Sequence, residues 1–208
     1  MQDHELQHAL HRLRFGITHC LEGGARHVAF FASHSGEGTS SITLQVARLL
    51  ATRSRLRVLL VDANPLGPIL HKLLMARKED GFMELLAGKI DAIEAVQDVG
   101  DFDLISCGEL SETPARTLRP ERLARVLPVL GTRFDCVLYD CAPVIENPEM
   151  EVLLAAADAS VMILEAERTR REVARAALRT VTQAGARPIG VVLNRRRFHI
   201  PESIYRLL

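Results

Sequence analysis

The chain has 208 residues, enough for one well-buried domain and too few for two. Its 26 basic and 26 acidic residues balance to a formal charge of zero, so no global field draws it to nucleic acid or to an anionic membrane. Hydrophobic content is ordinary at 48%, and no apolar run approaches the roughly 18 residues of a membrane span. The N-terminus has acidic residues and histidines where a secretory signal needs a basic patch and an apolar core. The four cysteines, Cys20, Cys107, Cys136 and Cys141, show no Cys-x-x-Cys pair and no zinc spacing. Cys136 and Cys141 flank one expected strand, where free buried thiols fit a reducing, cytoplasmic setting.

In chain order, Leu6, Ala9, Leu10 and Leu13 recur at helical spacing, and residues 1–20 are read as an N-terminal helix. An apolar strand over His27–Ala32 follows. It feeds the run Ser33-His34-Ser35-Gly36-Glu37-Gly38-Thr39-Ser40-Ser41, and a helix over Ser41–Ala51 leads out. Strand, glycine loop and helix form the context that makes such a run a phosphate-binding loop. The glycines let the backbone turn its N–H groups toward one point, and the helix N-terminus adds partial positive charge. Such loops end in Gly-Lys-Ser/Thr, and here Thr39 stands in the lysine position. The three lysines, Lys72, Lys78 and Lys89, all lie far from the loop in sequence. Ser40 is placed to offer a hydroxyl to Mg²⁺ or to cap the helix, and the glycines around it favour the first reading.

Five further strands are expected over Leu56–Val61, Phe102–Cys107, Phe134–Tyr139, Ala159–Leu164 and Ile189–Leu193. Helices are expected near Pro120–Leu130, Glu149–Ala156 and Arg171–Ala184, with shorter pieces around Ile69–Leu74 and Gly81–Ala87. Apolar strands alternating with helices predict a mostly parallel sheet covered on both faces. Ligands in such folds sit at the carboxyl ends of the strands. The loop, Asp62, Asp140 and Asn194 all fall at that edge. Asp62 and Asp140 could hold Mg²⁺ or position a nucleophile, or else serve as turn residues; two of them beside a glycine loop favour a ligand site. Asn194 could read an adenine edge or close a turn. Arg195-Arg196-Arg197 reads as solvated surface, with phosphate, a lipid head group or an acidic partner as alternatives. His8, His11, His27 and His34 lack the i, i+4 spacing of a helical zinc site and read as exposed histidines.

Together these segments resemble the cytoplasmic domain of bacterial tyrosine kinases (BY-kinases), a group in the MinD/ParA-type branch of P-loop ATPases. The resemblance runs from about Leu10 to Asn194. It rests on Ser35-Gly-Glu-Gly38, on Val58-Leu-Leu-Val-Asp62 followed by Pro68-x-Leu70-His71, on Phe134-Asp-x-Val-x-x-Asp140-x-x-Pro143-Val144, and on Gly190-Val-Val-Leu-Asn194. It implies an α/β three-layer sandwich spanning 1–208 as one domain, with 195–208 as a C-terminal tail. It also implies ATP or ADP with Mg²⁺ as cofactors. The implied nucleotide-contacting residues are Ser35, Gly36, Glu37, Gly38, Thr39, Ser40, Ser41 and Asn194. Metal ligation falls to Ser40, Asp62 and Asp140, and catalysis to Asp62 and Asp140. The implied setting is export of extracellular or capsular polysaccharide, beside a membrane-spanning co-polymerase or adaptor at the inner membrane face, with self-association and without nucleic acid.

Several positions depart from the family pattern. Its loop lysine falls on Thr39, and its second-strand Asp-x-Asp-x-Arg falls on Asp62, Asn64 and Leu66. Its N-terminal Glu-x-x-Arg-x-x-Arg assembly motif falls on His8, His11 and Arg14, where only the last matches. Its C-terminal tyrosine cluster is missing, leaving Tyr139 in a strand and Tyr205 in the tail, where Ile204, Leu207 and Leu208 could dock on the body. Threonine is short and uncharged, and a charge-assisted hydrogen bond contributes roughly 1.5–3 kcal/mol. In a water-excluded catalytic site such a loss costs about 10²–10³ in rate. The expectation is a pseudokinase or regulatory subunit, with an active kinase using non-standard residues and a MinD/ParA-type positioning ATPase as alternatives.

Overall fold

The computed structural model describes residues 2–78, 80–109 and 113–195. The expected contacts of Ile204, Tyr205, Leu207 and Leu208, the pair Arg196-Arg197 and the side chain of His8 lie outside what is described. In chain order the elements are α1 (Gln2–Glu22), β1 (His27–Ala32), α2 (Thr39–Ser54), β2 (Val58–Ala63), α3 (Leu70–Leu73), α4 (Phe82–Ala87) and α5 (Ala92–Ala95). Then follow β3 (Gln97–Asp98), β4 (Asp103–Ile105), α6 (Pro114–Thr117), α7 (Pro120–Arg133), β5 (Cys136–Cys141), α8 (Met150–Ala156), β6 (Ala159–Glu165), α9 (Arg171–Gln183) and β7 (Pro188–Asn194).

Among the described residues the strands form one sheet in the order β3-β4-β2-β5-β1-β6-β7, parallel except for the β3–β4 pair. β1, β2 and β5 are buried at every position, which explains their unbroken apolar character. Side-chain alternation along β1 divides the core. Val28 and Phe30 face Leu10, Ile17, Ile42 and Leu50 of α1 and α2. Ala29 and Phe31 share the opposite cluster with Phe82, Leu127, Leu153 and Val181 of α4, α7, α8 and α9. The result is the expected three-layer sandwich. α7 buries Leu123, Val126, Leu127 and Leu130, a single helical stripe, and starts on Pro120, where a missing N–H costs nothing.

Of the expected boundaries that move, two bear on the strand-end acids. β2 and β5 each run on past the end read from sequence, so Asp62 and Asp140 are the penultimate residues of their strands rather than the residues after them. Ala63 and Cys141 are buried and keep the ladder in register, Asp62 opposite Asp140 and Ala63 opposite Cys141. The polar side chain interrupts the hydrophobic pattern without interrupting backbone pairing. β3 went unseen in the pattern because it is two polar residues on a sheet edge. One histidine also departs from expectation: His27 is buried in β1, with Nδ1 3.0 Å from the Tyr139 hydroxyl, whereas His34 is exposed. Burial lowers the His27 pKa, so it is a neutral core residue. Cys107, Cys136 and Cys141 are buried free thiols, and burial pushes the Cys136 thiol up to about 12.

The N-terminal helix runs to Glu22 and packs on α2. Arg14 donates from Nη1 to Ser54 Oγ at 3.0 Å at the end of α2. It is therefore engaged within the chain. No described helix is long and apolar enough to cross a membrane.

Candidate functional site

From β1 the chain goes first to β2 on one side of the sheet and later to β6 on the other, so the switch point lies at the carboxyl end of β1. The glycine loop occupies that point. Gly36 and Gly38 have φ of 87° and 92°, in the region that disfavours side chains. Gly38 also caps α2 without a side-chain hydrogen bond, which leaves the first N–H groups of α2 without intrahelical acceptors. A Cβ on Gly38 would stand 2.1 Å from Asn194 Nδ2, so a side chain there would displace the Asn194 amide as well as strain the backbone. Thr39 is the first residue of α2 and is 9% exposed. Ser40 follows it half-buried, and Ser41 lies on the exposed side of α2. Gly38, rather than Ser40, is the helix cap.

Loop geometry rests on two carboxylates. Glu37 is buried and turned inward: its Oε2 accepts from Ser33 N at 2.7 Å, Ser33 Oγ at 2.9 Å and His34 N at 3.1 Å, while Oε1 accepts from Thr169 Oγ1. It braces the loop. Glu146, from the turn after β5, accepts from Ser35 N at 2.8 Å and Ser35 Oγ at 2.5 Å, with His34 Nδ1 3.6 Å away. These donors hold the Glu146 carboxyl below its ordinary range, the Ser35 hydroxyl contributing most. A loop N–H that suits phosphate is thus taken by a carboxylate of the same chain. Glu146→Ala is expected to tighten binding of Mg-ADP several-fold by releasing Ser35 N–H, measured by calorimetry. Unchanged affinity would show that the ligand does not use this donor.

The two strand-end acids differ in environment. Asp62 accepts from the N–H groups of Asn64 at 3.2 Å, Ile69 at 3.1 Å and Leu70 at 3.1 Å. It acts locally as the turn aspartate that starts α3, although burial still pushes its pKa up to about 6. Asn64, at the position of the second acid, closes its own turn by accepting from Gly67 N at 3.2 Å. Asp140 is 1% exposed, and no described residue hydrogen-bonds either carboxylate oxygen. Burial pushes it up to about 8, the neighbouring Asp62 charge adds to the shift, and the Ser40 hydroxyl partly offsets it. The Ser40 hydroxyl therefore lies close to the Asp140 carboxyl, at a geometry just short of a hydrogen bond. A buried carboxylate with both oxygens orphaned fits a hard divalent cation, and Ser40 and Asp62 supply oxygen donors beside it.

Asn194 lies two strands from β1, yet its Nδ2 donates to the Glu37 carbonyl at 2.9 Å and its Oδ1 accepts from Arg195 N at 2.9 Å. Its amide latches β7 to the loop. Sequence reasoning passed over Glu146, Glu165, Arg168 and Thr169. The last three sit at the carboxyl end of β6 and just beyond it, and the strand-end rule would have found them had it been applied to that strand.

No family model matches the chain. EpsB of Ralstonia nicotianae, provisionally named a tyrosine-protein kinase, is 26% identical over 189 residues, 89% of this chain and 25% of EpsB. The tyrosine-protein kinase wzc of Salmonella typhimurium is 30% identical over 141 residues, 66% of this chain and 20% of wzc. The chain therefore spans about a quarter or less of the length of these relatives. Among solved structures, the VpsO kinase domain superposes with a TM-score of 0.83 at 22% identity, covering 94% of this chain and 98% of that domain. Cobyrinic acid a,c-diamide synthase from Mycobacterium smegmatis, solved with ADP and magnesium, shares the fold at a TM-score of 0.68 and 22% identity, covering 85% of this chain and 83% of that one. Motif order, sheet topology and these similarities agree: the chain is a P-loop ATPase-fold domain whose homologues are the bacterial tyrosine-protein kinases.

Proposed function

We propose that this chain is a nucleotide-binding regulatory domain, a pseudokinase derived from the bacterial tyrosine kinases. It holds ATP or ADP with Mg²⁺ but transfers the phosphoryl group poorly or not at all. The observation that carries this reading is Thr39, buried at the head of α2 where the loop lysine belongs. Catalysis in this chemistry is mostly positioning and electrostatic stabilisation of the transferring phosphoryl group. A buried threonine provides neither length nor charge for it. Neutral Asn64, tied into a local turn, supports the same reading. The nucleotide half rests on the glycine loop and on the Asp140 oxygens, which a magnesium ion would satisfy alongside Ser40 and Asp62. When bound, that ion would neutralise phosphate charge; this chain's residues would orient it. By resemblance to the BY-kinases, the domain works in extracellular or capsular polysaccharide export, at the inner face of the membrane through a membrane-spanning co-polymerase or adaptor.

Purified protein is expected to show no ATP hydrolysis and no autophosphorylation above a no-enzyme control with Mg²⁺ present. Turnover that disappears in Ser40→Ala or Asp140→Ala would establish the active-kinase reading instead. That second reading is favoured by one feature, the Asp140 carboxylate, whose two buried acceptors receive no hydrogen bond from the described residues and suit a metal-dependent enzyme.

A further inference from the structure

β7 and the residue after it reach the glycine loop. Asn194 Nδ2 donates to the Glu37 carbonyl at 2.9 Å, and Arg195 Nη1 donates to the Gly36 carbonyl at 2.9 Å. Arg168, beyond β6, brings Nη1 to 3.6 Å from where a Cβ on Gly36 would stand. One carboxylate gathers both arginines: Glu165 lies 2.9 Å from Arg168 Nη1 and 3.3 Å from Arg195 Nη1. The backbone bends to make this possible. Glu167 and Arg195 have φ of 65° and 55°, a left-handed conformation that non-glycine residues seldom adopt without a compensating contact. Glu165 thus holds two guanidinium groups beside the loop with a single carboxylate. Glu37 and Glu146, also at the loop, accept from its N–H and hydroxyl groups. The arginine side chains are 66% and 54% exposed, so they can turn toward an incoming anion without unfolding anything.

We infer that Arg195 and Arg168, brought in from the ends of β7 and β6, supply the phosphate-binding cation that the loop itself lacks at Thr39. The inference rests on the nucleotide reading above. Guanidinium suits the task because its fixed fork of donors matches phosphate oxygens and keeps its charge at any physiological pH. Glu165 is then a positioning residue that holds the pair at the loop before ligand arrives.

The test is calorimetric titration of Mg-ATP, Mg-ADP and adenosine against wild type, Arg195→Ala, Arg168→Ala and Arg195→Lys, each with and without Thr39→Lys. Each alanine variant removes one charge-assisted hydrogen bond to phosphate, and Mg-ATP and Mg-ADP are expected to bind roughly 10- to 100-fold more weakly. Adenosine affinity should not change, and Arg195→Lys should fall between wild type and Arg195→Ala. Thr39→Lys should recover more affinity in Arg195→Ala than it adds to wild type, because the two cations replace one another. Equal binding by wild type and both alanine variants overturns the inference and leaves the loop a nucleotide site. Equal losses for adenosine and Mg-ADP also overturn it, since the arginines would then meet base or ribose. If neither wild type nor Thr39→Lys binds any nucleotide, the functional reading itself falls, and this inference with it.

Discussion

Thr39→Lys is expected to tighten Mg-ATP binding by roughly 10- to 100-fold, the effect of one charge-assisted hydrogen bond of about 1.5–3 kcal/mol at a phosphate. Thr39 begins α2, directly after Gly38, whose left-handed backbone turns the chain into the helix. A lysine there would extend from the helix head toward the same point as the loop N–H groups. The position is buried, so the longer side chain must find room among neighbours packed around threonine. A thermal midpoint measured beside the titration separates that packing cost from the affinity gain. Unchanged affinity in a folded Thr39→Lys protein, in the wild-type and the Arg195→Ala background alike, would mean that the loop binds no phosphate. Restored phosphoryl transfer is not expected from this change alone, because Asn64 remains neutral and engaged with Gly67.

The second large effect is on stability. Asp140→Asn is expected to raise the thermal midpoint at pH 8 and to make stability less dependent on pH. Burial pushes the Asp140 carboxyl up to about 8 and that of Asp62 up to about 6, against an ordinary value of 3.8. An acid whose folded pKa is raised binds protons in the folded state that the unfolded chain has already released. Its contribution is therefore complete below the unfolded pKa and is lost as pH rises through the folded value. Wild-type stability should fall from about pH 4 to about pH 8, with a slope of up to about 1.4 kcal/mol per pH unit for each such group. Asparagine keeps the shape and removes the buried charge, so the gap between variant and wild type should close as pH falls toward 4. Millimolar Mg²⁺ should raise the wild-type midpoint at pH 8 and leave Asp140→Asn unmoved, because the ion replaces the missing partners of the Asp140 oxygens. A pH-independent difference between the two proteins, or an equal magnesium response, would refute the assignment of a buried, cation-binding charge to Asp140.

The residues of this site belong to different ranges of interaction, and that decides how far each could be read in advance. Glycine spacing, the apolar run His27–Ala32 and the acids at 62 and 140 are local signals, and each appears at the strand-end edge where local pattern puts it. The division of labour between the two acids was not legible. Asp62 is supplied with three backbone N–H groups by a turn that folds back from residues 64–70, while nothing similar follows Asp140 among the described residues. Glu37 reads in sequence as one more loop residue, yet its carboxylate points inward to Ser33, His34 and Thr169. Asn194, which suits an adenine edge by chemistry, is occupied at both ends of its amide by contacts that depend on β7 lying beside β6.

The amino-acid order by itself determined the alternation of strand and helix, the layered α/β architecture and the glycine loop with Thr39 after its second glycine, because hydrophobic period and backbone-special residues act within a few positions of one another. Which charges stand at that loop was decided only by tertiary structure. Glu146 reaches Ser35 across 111 residues and Arg195 reaches Gly36 across 159, distances in sequence that no local pattern encodes and that the strand order alone brings together.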